Sequence, residues 1–158
     1  MIPIKLHLRN FMCYTDVHEP LLFDGIHVAC ISGDNGHGKS TLLDALTWAL
    51  WGKCRADSAD ELIHTGQTEM EVDFEFYLGE GHYRVLRKRS RAGRGQTTLD
   101  LHVVHGDGLR PLTGATVRET QERIVELVGM GYDTFINSSF LLQGRADEFT
   151  KRTPSERK

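Results

Sequence analysis

Alternating hydrophobic and polar residues predict that a β-sheet forms the main body of this chain. Over Glu69–Leu78 every second side chain is apolar, as in a strand with one buried face. The same alternation runs through Ile2–Phe11, resumes at residues 83–85 after a Gly-Glu-Gly turn, and returns over residues 98–104. We therefore expect a first strand, a hairpin and a further strand, with a weaker strand over residues 14–23 antiparallel to the first.

A different pattern starts at residue 26. Residues 26–31 form a continuous apolar run rich in β-branched side chains between Gly25 and Gly33, which is typical of a buried strand. A glycine-rich loop follows, and from Leu42 apolar residues recur at helical spacing with no Gly or Pro before Gly52. This stretch predicts a strand, a glycine loop and a helix, in that order.

Capping signals predict shorter helices downstream. A Ser-x-x-Glu box at residues 58–61 predicts a short helix over residues 59–64. A Thr-x-x-Glu box at residues 116–119 predicts a helix to about residue 128, where a glycine follows. A further helical turn is expected at residues 133–137.

A third capping box, Thr-Pro-Ser-Glu at residues 153–156, is followed only by Arg157 and Lys158 in this sequence. A helix of so few residues does not persist in water, because isolated helices need roughly 12 residues or more. We therefore expect residues 1–152 to be the first part of a larger protein, and residues 153–158 to be the start of a longer helix.

The glycine loop carries the strongest chemical signal in the sequence. It fits the G-x-x-x-x-G-K-[ST] pattern of a phosphate-binding loop, and the predicted strand and helix flank it as that mechanism requires. Backbone N–H groups would converge on the β- and γ-phosphates at the positive end of the helix, Lys39 would add a point charge, and the Ser40 hydroxyl suits Mg²⁺. The alternative is a glycine turn that binds nothing. The predicted phosphate-binding residues are Asn35, Gly36, His37, Gly38, Lys39, Ser40 and Thr41.

Composition limits the remaining possibilities. The 158 residues, 39% of them hydrophobic and 26% charged, fit one soluble domain with a real core. There is no apolar run long enough for a membrane span and no signal peptide, so we expect a cytoplasmic protein without a membrane partner. A net charge of −3 argues against a surface that binds polyanions throughout.

The cysteines, the histidines and the clustered charges are weaker signals of function than the glycine loop. Cys13, Cys30 and Cys54 are widely spaced and form no C-x-x-C motif, so we expect reduced, mostly buried thiols rather than a zinc site. The eight histidines form no ligand set, and no metal beyond Mg²⁺ is predicted. An acidic tract at residues 57–80 precedes a basic tract at residues 84–94. The basic tract either neutralises its own hairpin or contacts DNA phosphates.

A phosphate-loop ATPase also needs a carboxylate at the end of a buried strand, which holds the Mg²⁺ shell. The sequence shows no apolar run that ends in such a carboxylate. Asp73 lies on the polar face of an alternating strand rather than at a strand tip. We therefore expect this chain to carry the binding half of an ATPase and to hydrolyse no ATP by itself.

Taken together, these motifs resemble the N-terminal part of the SbcC family, the ABC-type ATPases of DNA double-strand-break repair nucleases, which are related more distantly to SMC chromosome proteins. The resemblance implies an α/β P-loop NTPase fold: an ABC-ATPase head lobe with a mixed or antiparallel sheet packed on the Walker A helix, and a C-terminus that enters a coiled coil. Its carriers are residues 8–11, residues 35–45, residues 132–149 and residues 154–158.

The resemblance also implies roles for particular residues. Gln143 matches the Q-loop glutamine, which coordinates Mg²⁺ together with Ser40 and, with Lys39, serves catalysis. Contacts to the sugar and base are implied for Arg9, Asn10, Ile63, His64 and Gly66. Two departures from the family pattern stand out: Met12 lies where some relatives carry a basic residue, and His37 replaces a small serine.

Partners follow from the same resemblance. It implies a C-terminal half with Walker B, signature motif and catalytic glutamate, an ATP-dependent homodimer of heads, an SbcD-type nuclease, and sequence-nonspecific double-stranded DNA in the nucleoid. ATP and Mg²⁺ are the implied cofactors. A chromosome-organising head of the SMC or RecN type without a nuclease, and a nucleotide-binding regulator that never hydrolyses, are the alternatives. Trp48 and Trp51 are expected to pack in the core rather than to stack on bases.

Overall fold

One antiparallel sheet dominates the computed structural model, which describes residues 1–16, 19–56, 58–106 and 108–138. The strand order is β2-β1-β4-β5-β6-β7, and β3 also pairs with β1. The strands are β1 (Ile2–Phe11), β2 (Tyr14–Asp16), β3 (Leu21–Leu22), β4 (Glu69–Leu78), β5 (Gly81–Ser90), β6 (Gln96–His105) and β7 (Gly108–Pro111). The helices are α1 (Lys39–Trp51), a 3₁₀ helix (Ala59–Leu62), α2 (Val117–Val128) and α3 (Tyr132–Ser138).

The core lies between one face of the sheet and the helices. Helix α1 packs on β1, β4 and β5, while α2 packs on β6 and on α1. The inward side chains of β4 from Met70 to Phe76 belong to the same hydrophobic cluster as Trp48 and Ala49 of α1, and all of these side chains are almost fully buried. The fold class is therefore the predicted one, an α/β lobe in which an antiparallel sheet packs on the helix that follows the glycine loop. Trp48 and Trp51 belong to this core, as predicted.

Most strands predicted from alternation are confirmed. Strands β1 and β4 have the predicted bounds, and β5 and β6 extend the predicted hairpin and strand by a few residues. The weak strand over residues 14–23 is two short strands, β2 and β3, that both pair with β1. Strand β7 was not predicted, because Gly108 and Pro111 at its ends are turn-forming residues.

The strand predicted at residues 26–31 is wrong. These residues form no strand, and Ile26, Val28 and Ile31 are exposed. An apolar strand needs neighbouring strands to pair its backbone, and the described part of the chain places none beside this segment. The prediction of mostly buried thiols is wrong as well, since Cys13 and Cys30 are exposed and Cys54 is half-buried.

The two predicted capping boxes that fall within the described residues start helices of different kinds. At α2, the Thr116 hydroxyl accepts from the Glu119 N–H, and the Glu119 carboxylate accepts from the Ala115 N–H. Helix α2 ends at Gly129, as predicted. The box at residues 58–61 forms only a 3₁₀ helix, which ends at Leu62 rather than at residue 64.

A buried arginine joins the sheet to the C-terminal end of α1. Arg87 on β5 donates from Nε to the Ala49 carbonyl at 3.0 Å and from Nη2 to Gln121 Oε1 at 2.6 Å, while Gln121 donates to the Leu50 carbonyl. Its guanidinium lies 5.6 Å from the ring centre of Trp48. Burial lowers the pKa of Arg87 to about 10, so the group stays charged at neutral pH. The Ala49 carbonyl in the last turn of α1 is thus held by a cation, which the helix dipole favours, and the Leu50 carbonyl is held by the Gln121 amide.

Candidate nucleotide-binding site

The glycine loop leads directly into α1. Gly33, Gly36 and Gly38 all have positive φ angles, and Gly38 occupies the N-cap position without a side-chain cap. Among the described residues, the N–H groups of Lys39 and Ser40, the first two of α1, have no acceptor. The loop therefore presents unpaired donors at the positive end of a helix, which is the arrangement that binds phosphate.

Lys39 bridges its own loop. Its Nζ donates to the Gly33 carbonyl at 2.6 Å and to the Asp34 carbonyl at 2.8 Å. The ammonium group is thus held at the loop by two of the loop's own carbonyls. A triphosphate in the loop would offer it charged oxygens in exchange for two neutral carbonyls.

The turn between β1 and β2 forms one wall of the loop. Cys13 Sγ lies 3.8 Å from Thr41 Oγ1, and the Tyr14 hydroxyl donates to the Gly38 carbonyl at 3.3 Å. Burial, and to a lesser extent Cys13, raises the pKa of Tyr14, so its hydroxyl remains a donor. A Cβ atom at Gly38 would lie 2.6 Å from Cys13 Sγ. Both its φ of 80° and this close approach require glycine at position 38.

A cleft of about 670 Å³ opens in front of the loop. It brings together eight of the predicted site residues: Asn35, Gly36, Gly38, Lys39, Ser40, Thr41, Ile63 and His64. The other lining residues are Met12, Cys13, Arg55, Glu61 and Thr65. The loop and the turn after the 3₁₀ helix, which are far apart in sequence, thus face one common space of the size of a ligand site.

The remaining predicted residues do not line the cleft. Arg9 pairs with Glu69 at 2.9 Å on the opposite, polar face of the sheet. Asn10, His37 and Gly66 also lie outside the lining, so their contacts with a nucleotide stay predictions. Gln143 and residues 153–158 lie outside the described residues.

Arg55 is the lining residue that sequence reasoning missed. Its guanidinium makes a two-pronged contact with Asp44 of α1, with Nη2 to Oδ2 at 2.6 Å and Nε to Oδ1 at 3.0 Å. The hydrogen bond to Asp44 raises the pKa of Arg55, and the carboxylate itself is 3% exposed. A fixed cation therefore faces the cleft. The available signal was Asp44, a carboxylate within the helix that packs on the sheet.

The donor set fits a magnesium-bound nucleotide. The Ser40 hydroxyl has no hydrogen-bond partner in the part of the chain that is described, so its oxygen is available to a hard cation. Over the same residues there is no group of three or more His, Cys, Asp or Glu side chains that would hold a metal by itself. Any Mg²⁺ would therefore take some of its oxygen ligands from the phosphates of the nucleotide.

The basic tract is largely paired within the chain. Arg84 binds Asp73 at 2.6 Å, Lys88 binds Glu71 at 2.8 Å, and Arg89 binds Asp60 at 2.7 Å. The hydrogen bond to Asp73 raises the pKa of Arg84. This geometry favours the first interpretation of the tract, a hairpin that neutralises its own charge.

A glycine loop at the N-terminus of a helix, packed on a sheet and opening into a cleft with free donors, defines the class: a phosphate-loop nucleotide-binding domain. More particularly, the chain belongs to the AAA domain family, which it matches over residues 5–158. A solved structure of the recombination mediator protein RecF–ATP of the RecFOR pathway shares the fold, with a TM-score of 0.50 and 19% identity over 72% of this chain and 28% of that chain.

Curated relatives make the comparison more specific. The chain is 32% identical over 160 residues to the DNA double-strand break repair Rad50 ATPase of Thermoplasma volcanium, covering all of this chain and 17% of the relative. It is 32% identical over 161 residues to the SbcC component of the nuclease SbcCD of Deinococcus radiodurans, covering 99% of this chain and 18% of the relative. The resemblance to the N-terminal part of such ATPases is confirmed. Because the chain spans about a sixth of these relatives, it corresponds to one portion of them.

No helix in the described ranges combines the length and the apolar character needed to cross a membrane.

Proposed function

We propose that this chain is the ATP-binding half of an SbcC-type DNA repair ATPase, which dimerises around ATP and controls a partner nuclease at DNA ends. The observation that carries the proposal is the cleft in which Lys39, Ser40 and Thr41 face the segment of Ile63 and His64. Kinship with Rad50 and SbcC proteins supports the ATPase class. The nuclease partner, of the SbcD type, and the binding of double-stranded DNA without sequence preference belong to the proposal.

The exposed apolar run supports an ATPase built from two halves. Val28 is 92% exposed and Ile31 is 44% exposed, in a segment that leads straight into the glycine loop. Such a run is stable as a strand only when other strands cover it. We therefore assign it to a sheet completed by a C-terminal half that carries Walker B, the signature motif and the catalytic glutamate.

Each residue of the loop has a distinct task in this proposal. The free N–H groups of Lys39 and Ser40 bind phosphate oxygens, and Lys39 Nζ exchanges its carbonyl partners for the same oxygens. The Ser40 hydroxyl and Gln143 would hold Mg²⁺, which would neutralise charge on the phosphates. Arg55 lies at the cleft in an ion pair with Asp44, which fixes the position of its guanidinium.

The proposal is tested by Lys39→Ala in the complete protein, with Lys53→Ala as the matched control. Lys53 lies two residues after the end of α1, but its ammonium lies over the Tyr132 ring and outside the cleft. We expect Lys39→Ala to abolish ATP binding in isothermal titration calorimetry, because it removes the charge held over the loop, and Lys53→Ala to bind normally. ATP binding that survives Lys39→Ala would refute the assignment of the loop.

Gln143→Ala separates binding from engagement of the two heads. It is expected to leave ATP affinity largely unchanged and to prevent ATP-dependent dimerisation, measured by light scattering. An unchanged ATPase rate in this variant would contradict the role assigned to Gln143.

A further inference from the structure

The peptide group between Gly38 and Lys39 is the point at which the phosphate-binding loop becomes a helix. Its N–H, that of Lys39, is one of the two donors of α1 left without an acceptor in the described part of the chain. Its carbonyl, that of Gly38, accepts from the N–H groups of Thr41 at 3.0 Å and Leu42 at 3.3 Å. The Tyr14 hydroxyl donates to the same carbonyl at 3.3 Å. Two of these three donors belong to α1 itself, and the third comes from the sheet.

The side chains of the loop do little to fix this peptide group. Gly38 is the N-cap residue of α1, with a φ of 80° and no side-chain cap. Glycine adopts left-handed and right-handed backbone conformations with similar ease, so the residue itself does not hold the peptide in one orientation. The orientation therefore depends on contacts from outside the loop.

Tyr14 is well placed to supply such a contact. It is the first residue of β2, pairs with Phe11 of β1, and packs its half-buried ring against the hydrophobic core. The ring edge lies directly against Gly38, where an added Cβ would be 3.0 Å from the Tyr14 hydroxyl oxygen and 3.1 Å from Cε2. Burial raises the pKa of Tyr14, so the hydroxyl keeps its proton and donates throughout the neutral range.

A hydrogen bond to the carbonyl of a peptide group also strengthens the N–H of the same group as a donor, because linked hydrogen bonds polarise one another. The Tyr14 hydroxyl draws electron density towards the Gly38 oxygen, which makes the Lys39 N–H more positive. A phosphate oxygen carries negative charge and therefore gains from a stronger donor.

We propose that Tyr14 is a positioning residue of the phosphate-binding loop: its hydroxyl holds the peptide between Gly38 and Lys39 and polarises the Lys39 N–H for a phosphate oxygen. Tyr14 is not among the residues that line the cleft, so it acts through this peptide rather than by touching the nucleotide. The inference rests on the proposed ATP-binding function, and it adds a residue outside the loop motif that sets the strength of phosphate binding.

The test is Tyr14→Phe in the complete protein, which removes the hydroxyl and keeps the ring, with Tyr83→Phe as the matched control. Tyr83 also packs a half-buried ring on the core, but it lies on β5 and outside the cleft. We expect calorimetry to show ATP binding about fivefold weaker in Tyr14→Phe, because one neutral hydrogen bond is lost, with an unchanged number of sites. Tyr83→Phe should bind ATP as the wild-type protein does.

Two further measurements separate positioning from a merely structural role. Inorganic triphosphate with Mg²⁺ should lose affinity for Tyr14→Phe by the same factor as ATP, because the effect lies at the phosphates. In ATPase assays, KM for ATP should rise and kcat should stay the same, because a phosphate contact made equally before and during the reaction contributes only to binding. Partial unfolding would instead reduce the number of active sites, and with it kcat, at unchanged KM.

Three outcomes would overturn the role of Tyr14 and leave the proposed function standing. They are an unchanged affinity for ATP in Tyr14→Phe, a loss for ATP that inorganic triphosphate does not share, and a lower number of sites with unchanged affinity. A wild-type protein that binds neither ATP nor inorganic triphosphate would overturn both the inference and the proposed function.

Discussion

Two apolar segments of this chain look equally like strands in sequence but differ completely in structure. Strand β4 has a hydrogen-bonded neighbour on each side, β1 and β5, and its Phe74 and Phe76 are at most 1% exposed. The segment of residues 26–31 has no strand partner among the described residues, and Val28 is 92% exposed. The difference teaches that an apolar pattern specifies a strand only together with the neighbours that pair its backbone. The strands of the sheet find those neighbours within the described residues, whereas the segment before the glycine loop finds none there.

The largest expected effect tests whether side chains of the two segments contribute differently to the free energy of unfolding, as their difference in burial implies. Phe74→Ala should lower the free energy of unfolding of the 158-residue chain by about 3–5 kcal/mol, because it leaves a cavity in the core. Val28→Ala should change it by less than about 0.5 kcal/mol, because its side chain is in water. Urea unfolding of both variants measures the difference.

The complete protein sharpens the same comparison. If a C-terminal half covers residues 26–31, Val28→Ala becomes destabilising there, while Phe74→Ala keeps its effect. A similar loss for both variants in the 158-residue chain would mean that residues 26–31 are already packed, and the contrast between the two segments would be false.

The strands of the sheet were predictable because their alternation is regular, and for β4, β5 and β6 also because each pairs with the next strand along the chain. Strand β4 meets β5 through a two-residue turn, so local alternation was enough to place both. Strand β7 escaped prediction because Gly108 and Pro111 resemble a turn, although the register with β6 pairs Pro111 with His102. Its strand character comes from pairing rather than from local preference.

The candidate site was predictable only in its phosphate-binding part. The loop is contiguous, so its spacing alone places Lys39 and Ser40 beside unpaired N–H groups. The opposite wall depends on long-range contacts, such as the hydrogen bond from His64 to the Met12 carbonyl across 52 residues. Family resemblance pointed to Ile63 and His64, whereas the one signal for Arg55 was its partner Asp44, eleven residues earlier in the helix after the loop.

A smaller effect is expected where the glycine loop touches the sheet. Gly38→Ala should destabilise the chain by about 2–3 kcal/mol, because alanine resists the left-handed backbone and its Cβ would crowd Cys13 Sγ at 2.6 Å. Gly36→Ala is the matched control. It has a similar φ of 87° but nothing within 4 Å, so it should cost only about 1 kcal/mol. Equal losses would mean that the loop does not rest on the turn after β1.

The smallest expected effect is a difference in alkylation rate between the two exposed cysteines. One of them lies beside the sheet and the other in the segment of residues 26–31. Cys13 lies in the turn after β1 and lines the cleft, whereas Cys30 lies in the apolar segment outside it. ATP with Mg²⁺ at ten times its dissociation constant should slow iodoacetamide alkylation of Cys13 about tenfold, since only the free fraction reacts, and should leave Cys30 unaffected. Burial raises the pKa of Cys54, so it should react most slowly with or without nucleotide.

Peptide mass spectrometry over a time course measures the three rates in one sample. Equal protection of Cys13 and Cys30 would indicate that nucleotide orders the whole segment before the loop, so that the segment finds its partners within this chain after all. Protection of Cys13 alone would place the nucleotide against the sheet and leave residues 26–31 exposed. The apolar run would then still require strands from outside the described residues, because ligand binding at the loop pairs none of its backbone groups.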